Sequence, residues 1–163
     1  MLLTNPVTNP MIAMLIAFAV SMIPMLELRA GIPLGVALGL PTPTATIVGI
    51  VGNILQIQIA VVAVAWAYRQ CARYPRIRGW ITKTEAQIDR HKRLVQRWGW
   101  LGLTAFVILP LPGTGVWGGV VLARLLGLGA RPVWIGLSLG IAASGLIFGL
   151  GTHGTVSVIN LFR

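Results

Sequence analysis

Acidic side chains are scarce in this sequence: three Asp and Glu stand against 13 Lys and Arg in 163 residues. Outside residues 69–97 the only carboxylate is Glu27, so no pair of acids is available for general acid–base work. Cysteine occurs once, at Cys71, which excludes an internal disulfide. His91 and His153 are the only histidines, and neither has the neighbours of a metal site or a nucleophile–base pair. No catalytic residue, metal or cofactor is expected, and the chain reads as a non-enzyme. Residues 1–10 lack Lys and Arg, so the positive n-region of a cleaved leader is not expected either.

Charge of any sign is low. Charged residues make up 10% of the chain, where a soluble domain carries about 25%. Hydrophobic residues make up 56% and the mean hydropathy is +0.84. These values imply an integral membrane protein, short enough for a single membrane domain over residues 1–163. The net charge of +10 is concentrated: residues 69–97 hold nine Lys and Arg and only Glu85 and Asp89 as acids. That is one basic loop rather than a nucleic-acid surface, and no nucleic-acid partner is expected.

The stretch 11–40 is apolar except for Glu27 and Arg29. A charge at the bilayer centre costs roughly 2.5–3.5 kcal/mol on insertion scales, so a chain that keeps two has a use for them. Pro24 and Pro33 bracket the pair, with Gly31 between them. Proline removes a backbone donor and glycine tolerates unusual dihedrals, so a broken helix is expected. The run 11–23 would reach about 20 Å as a helix, short of a hydrocarbon core of roughly 30 Å. We read 11–40 as a re-entrant hairpin whose tip carries Glu27 and Arg29. The rival is a single span with a double kink. The pair itself reads either as a working site or as an ion pair that pins the hairpin.

A full span is expected over 44–68. Ala45, Gly49, Gly52, Asn53, Gln56 and Ala60 form a small and polar stripe on it, suited to close helix packing. Asn53 and Gln56 could also line a pathway. In the basic loop, Thr82 and Glu85 fit a capping box that starts an amphipathic helix. Its Arg90, Lys92, Arg93 and Arg97 would face anionic lipid headgroups. Residues 100–109 repeat the short apolar run, broken by Pro110-Leu111-Pro112-Gly113-Thr114-Gly115. A second hairpin, 100–126, is therefore expected, then a span over 133–150 with Gly136, Gly140 and Ser144 as its small stripe, and a tail over 152–163. An offset of 84 places Gly31-Ile32 on Gly115-Val116 and Gly35-Val36 on Gly119-Val120.

The positive-inside rule puts loop 69–97 in the cytoplasm. The second hairpin then enters from inside, with Arg97, Arg124 and Arg131 at its mouth, and the first from outside, with an uncharged mouth. The expected fold is all-α integral membrane: an inverted repeat of two re-entrant helical hairpins, each followed by a transmembrane helix, with a cytoplasmic amphipathic helix between the halves. The first repeat is 1–68, the loop 69–97 and the second repeat 98–151. Inverted repeats with discontinuous helices are a transporter design.

Glu27-Leu28-Arg29-Ala30-Gly31-Ile32-Pro33-Leu34-Gly35 and Pro110-Leu111-Pro112-Gly113-Thr114-Gly115-Val116-Trp117 together resemble the small multi-drug export protein family of prokaryotic inner membranes. That family resembles in turn the DedA/VTT membrane proteins. The resemblance implies an inner-membrane, multi-pass transporter or flippase for an anionic amphipathic substrate, a polyprenyl phosphate or phospholipid, with possible proton coupling. It matches Glu27 and Arg29 to the family's acidic and basic positions, and with Gly31, Pro33, Pro110, Pro112, Gly113, Thr114 and Gly115 at the two breaks they make the expected substrate and proton site. The second tip carries no arginine, a departure from the DedA pattern. Two alternatives stand beside this: small multidrug efflux, and a non-transporting membrane-shaping or interaction protein. Two spans and two hairpins enclose little space, so a homodimer is expected.

Overall fold

The computed structural model describes residues 9–71, 73–74, 92–109 and 114–161, and these are helical with short turns. Arg90, Pro110, Pro112 and Gly113 of the expected sites lie outside them, as does the expected capping box. The helices are α1 (Pro10–Ser21), α2 (Glu27–Ala37), α3 (Thr42–Cys71), α4 (Lys92–Ile108), α5 (Val116–Leu125) and α6 (Ala130–Leu161). The chain divides into two compact units. Unit 1 is Met1–Leu55 with Ala142–Arg163, and unit 2 is Gln56–Ile141.

Unit 1 is built on small residues. Asn9 caps α1 by accepting from the Met11 N–H at 3.0 Å, and Pro10 occupies the first turn, where a missing donor costs nothing. Ala13, Ala17 and Ser21 make its buried stripe. On α2 the buried residues are Glu27, Leu28, Gly31, Ile32 and Gly35. A Cβ on Gly31 would overlap the Ser21 hydroxyl, and one on Gly35 would sit 3.2 Å from the Ala17 Cβ. The chain therefore doubles back between α1 and α2. In one continuous span, residues 17 and 35 would lie about 27 Å apart. The start of α3 covers this hairpin, with Gly49 against Ile32 and Gly52 against the Phe18 carbonyl. The end of α6 joins through Gly145 on Ile50 and Gly149 on Thr46.

Unit 2 also holds a folded-back helical pair. Thr114 is buried and its hydroxyl donates to the Leu109 carbonyl, tying the two sides of the break together. A Cβ on Gly119 would stand 3.4 Å from Val107, so α5 folds back on α4. On α6, Gly136 faces the Trp100 carbonyl and Gly140 faces Val107 and the Thr104 carbonyl. The Thr104 hydroxyl lies 2.9 Å from the Trp100 carbonyl and 3.0 Å from that of Gly136, linking α4 to α6.

The hairpins close alike. After α2, Gly39 has φ +99 and the Leu40 N–H donates to the Gly35 carbonyl. After α5, Gly127 has φ +59 and the Leu128 N–H donates to the Ala123 carbonyl. Both are helix ends of the left-handed glycine type, and both read Leu-Gly-Leu. Matching them gives an offset of 88, which also sets the start of α3 at Thr42 on the start of α6 at Ala130. In the first arms, Phe18 and Ser21 at Gly52 correspond to Thr104 and Val107 at Gly140, an offset of 86. These contacts and helix ends align at 86 and 88, where the sequence pattern aligned at 84.

α4 is continuous from Lys92 to Ile108, so Lys92, Arg93 and Arg97 share one helix with the apolar run expected from residue 100. No proline interrupts this stretch, and a single glycine such as Gly99 weakens a helix without ending it. The expected tail is helical to Leu161. Thr152, Thr155 and Ser157 return their hydroxyls to the carbonyls of Phe148, Gly151 and His153, which settles polar side chains without leaving the helix.

α3 (Thr42–Cys71) and Ala130–Val158 of α6 are each long and apolar enough to cross a membrane. Ile47, Val51, Leu55, Ile59 and Val62 form an exposed stripe along α3, and Leu146, Ile147 and Leu150 do so on α6. Water would penalise such stripes, whereas acyl chains cover them.

Candidate functional site

Glu27 is the only acid among the described residues, and it is 95% buried. It opens α2 directly after the turn 22–26, and its position is costly. Met25 has φ 71 and Glu27 φ 51, both in the left-handed region. Non-glycine residues there cost of order 1–3 kcal/mol each, and such strain persists only where the surroundings enforce it. The break therefore lies ahead of Glu27 and includes Pro24. Pro33 does not break the helix as expected. It sits inside α2, on the exposed side, and offers no N–H to the Arg29 carbonyl one turn back.

Arg29 follows one residue after Leu28 and is half-buried. Its guanidinium lies 6.0 Å from the centre of the Phe148 ring on α6. An arginine over an aromatic face keeps its edge donors for other partners. Gly31 brings α2 onto Ser21, so the charged turn of α2 is fixed against α1. Asn53, on α3 in the same unit, is 1% exposed, and its side-chain oxygen has no hydrogen-bond partner among the described residues.

The remaining expected residues belong to unit 2. Thr114 and Gly115 are buried at the start of α5. Gln56 is fully buried at the start of the α3 portion of unit 2. The structure thus brings Glu27, Arg29, Gly31 and Pro33 together on one helix, with Asn53 in the same unit. Thr114, Gly115 and Gln56 fall in the other unit. Arg97 is exposed and stacks on its neighbour Trp98 at 5.7 Å.

Two contributors went unread in the sequence. Ser21 is fully buried, donates to the Ala17 carbonyl at 2.7 Å and meets Gly31 and Gly52. The spacing Ala13, Ala17, Ser21 was its available signal. Phe148 had none, since nothing local ties it to a residue 119 positions earlier.

Two apolar spans, two folded-back helical pairs and a buried carboxylate two residues from an arginine in sequence define a helical membrane protein. Residues 27–147 match the family described as "Putative small multi-drug export protein". The match covers most of the chain, which belongs to that family. No curated protein and no solved structure matches it.

Proposed function

We propose that the chain is a secondary transporter or flippase of a prokaryotic inner membrane, related to the DedA/VTT proteins. It moves an anionic amphipath, a polyprenyl phosphate or phospholipid, with Glu27 as the proton carrier and Arg29 as the anion contact. The observation that carries this reading is the buried Glu27, held by a strained turn at the break of a helical hairpin. Strain and a buried charge together are expensive in a scaffold and useful in a site. Supporting it, α1 is about 18 Å long, too short to cross the core, which favours a re-entrant hairpin. The matched helix ends and glycine contacts of the two units favour an inverted repeat.

In this reading Asn53 and Gln56 line the pathway, and Arg90, Lys92, Arg93 and Arg97 meet anionic lipid on the cytoplasmic side. The working form is a homodimer, and no bond-making chemistry is involved. The family description favours a second reading, in which Glu27 binds a lipophilic cation for efflux.

Purified protein in liposomes with an imposed pH gradient separates the two. A fluorescent phosphatidylglycerol or polyprenyl phosphate should cross several-fold faster than in protein-free vesicles, and tetraphenylphosphonium should not. Movement of the cation alone would assign the site to efflux. Movement of neither would overturn both readings.

Orientation has its own test. Cys71 is exposed at the end of α3. An impermeant thiol reagent should spare it in intact cells and modify it in inverted vesicles. Modification in intact cells would reverse the topology.

A further inference from the structure

Unit 2 contains a cleft that the proposed transport site does not use. It has a volume of about 200 Å³ between the second half of α3, the end of α5 and the start of α6. Val61, Val64, Val120, Val133 and Trp134 form its wall, and Arg124 is its only charged lining residue. Arg124 is exposed and its guanidinium lies 4.8 Å from the centre of the Tyr68 ring. A cation over an aromatic ring need not spend its N–H donors on it, and the planar fork of a guanidinium suits a phosphate. Among the described residues of unit 2 there is no acid to compete for it.

The offset of 88 gives the cleft a counterpart in unit 1, lined by Thr42, Thr46, Gly149 and His153 among others. These positions correspond to Ala130, Trp134, Val61 and Ala65. The two clefts share only these α3 and α6 positions, and the position matching Arg124 in unit 1 is Val36, which does not line the unit 1 cleft. The arginine is specific to unit 2.

We propose that the cleft of unit 2 is a binding site for an anionic phospholipid. Arg124 holds the headgroup phosphate and the valine and tryptophan wall takes the first part of an acyl chain. A lipid fits better than a soluble anion because every other lining group is apolar and α3 presents an apolar face to its surroundings. Tyr68 and Trp134 beside a cation make the amphipathic ring expected at headgroup depth. Arg124 in the last turn of α5 also complements the helix carbonyls, a role any cation could fill. The phosphate contact needs its planar fork.

Native mass spectrometry of the detergent-purified full chain, titrated with phosphatidylglycerol or phosphatidylcholine, tests this. Wild type should retain phosphatidylglycerol preferentially, and millimolar glycerol phosphate should not displace it. Arg124→Gln should weaken retention about tenfold, as loss of a charge-assisted contact does. Arg124→Lys should weaken it less. Val64→Phe, which fills the wall while keeping the charge, should also weaken it. Arg73→Gln, an exposed arginine outside the cleft, should not. Melting temperature reports folding for each variant, and Arg124→Lys with Val64→Phe carries the test if Arg124→Gln does not fold. Undiminished retention in Arg124→Gln or in Val64→Phe would overturn the site. So would an equal loss in Arg73→Gln, which would mean diffuse surface charge, or displacement by glycerol phosphate, which would mean a soluble anion.

Discussion

Glu27→Gln is expected to fold, to bind the amphipath, and to lose gradient-driven movement by at least tenfold, the effect of about 1.4 kcal/mol on a barrier. The amide keeps the size of the carboxylic acid and mimics its neutral form, so the variant is fixed in one protonation state. Arg29→Lys keeps the charge beside Phe148 but loses the planar fork, so phosphate binding should weaken while the fold persists. A purely structural pair predicts a different pattern. Removing Arg29 would then strand the buried Glu27 charge, which typically costs 3–5 kcal/mol. The double change Glu27→Gln with Arg29→Gln would then restore most of the lost stability. Melting in detergent and transport in liposomes, on the same four proteins, distinguish the two. Wild-type transport by a folded Glu27→Gln protein would end the proton-carrier assignment.

Gly31→Val should be the most damaging single substitution in unit 1. The Cβ alone would overlap the Ser21 hydroxyl and lie 2.9 Å from the Ala17 carbonyl oxygen. The carbonyl belongs to the backbone of α1 and cannot rotate away. Gly31→Ala is expected to cost about 1–3 kcal/mol, as overpacking does, and the β-branched valine more. Ser21→Gly should recover only part of the loss, since the carbonyl remains. Gly102→Ala is the control. Nothing lies within 4 Å of that position in α4, so alanine should stabilise the helix by up to about 1 kcal/mol. A Gly31→Ala protein that melts with the wild type would show that α1 and α2 do not pack as described.

The apolar spans and their packing stripes were legible because periodicity carries them. Ala45, Gly49, Gly52, Asn53, Gln56 and Ala60 on α3 are all buried, as are Gly136, Gly140 and Ser144 on α6. The hairpin break was legible from Pro24 and the isolated charges. Its detail was not, because Pro33 fits inside a helix whose exposed side has room for the ring, while Met25 and Glu27 took the left-handed turn without glycine. The offset of 84 read from the sequence differs from the 86 and 88 at which glycine contacts and helix ends align. Glycines recur so often that several offsets align some of them, and only the two turns ending in Leu-Gly-Leu fix the match. Lys92 to Arg97 read as a surface element by charge, and the structure places them on the same helix as the apolar run, α4. The Arg29–Phe148 contact joins distant parts of the chain, and no local pattern encodes it.

The order of the chain sets an order of assembly. Unit 2 is one uninterrupted stretch, Gln56–Ile141, whereas unit 1 needs Met1–Leu55 and also Ala142–Arg163. Unit 2 can close on itself with no segment beyond residue 141. The first hairpin, made earliest, must wait for the end of α6 before Ile50 meets Gly145, Thr46 meets Gly149 and Arg29 meets Phe148. The half of the molecule that holds the buried carboxylate is therefore begun first and finished last, and a nascent chain stopped short of residue 142 carries that carboxylate without the helix that completes its unit.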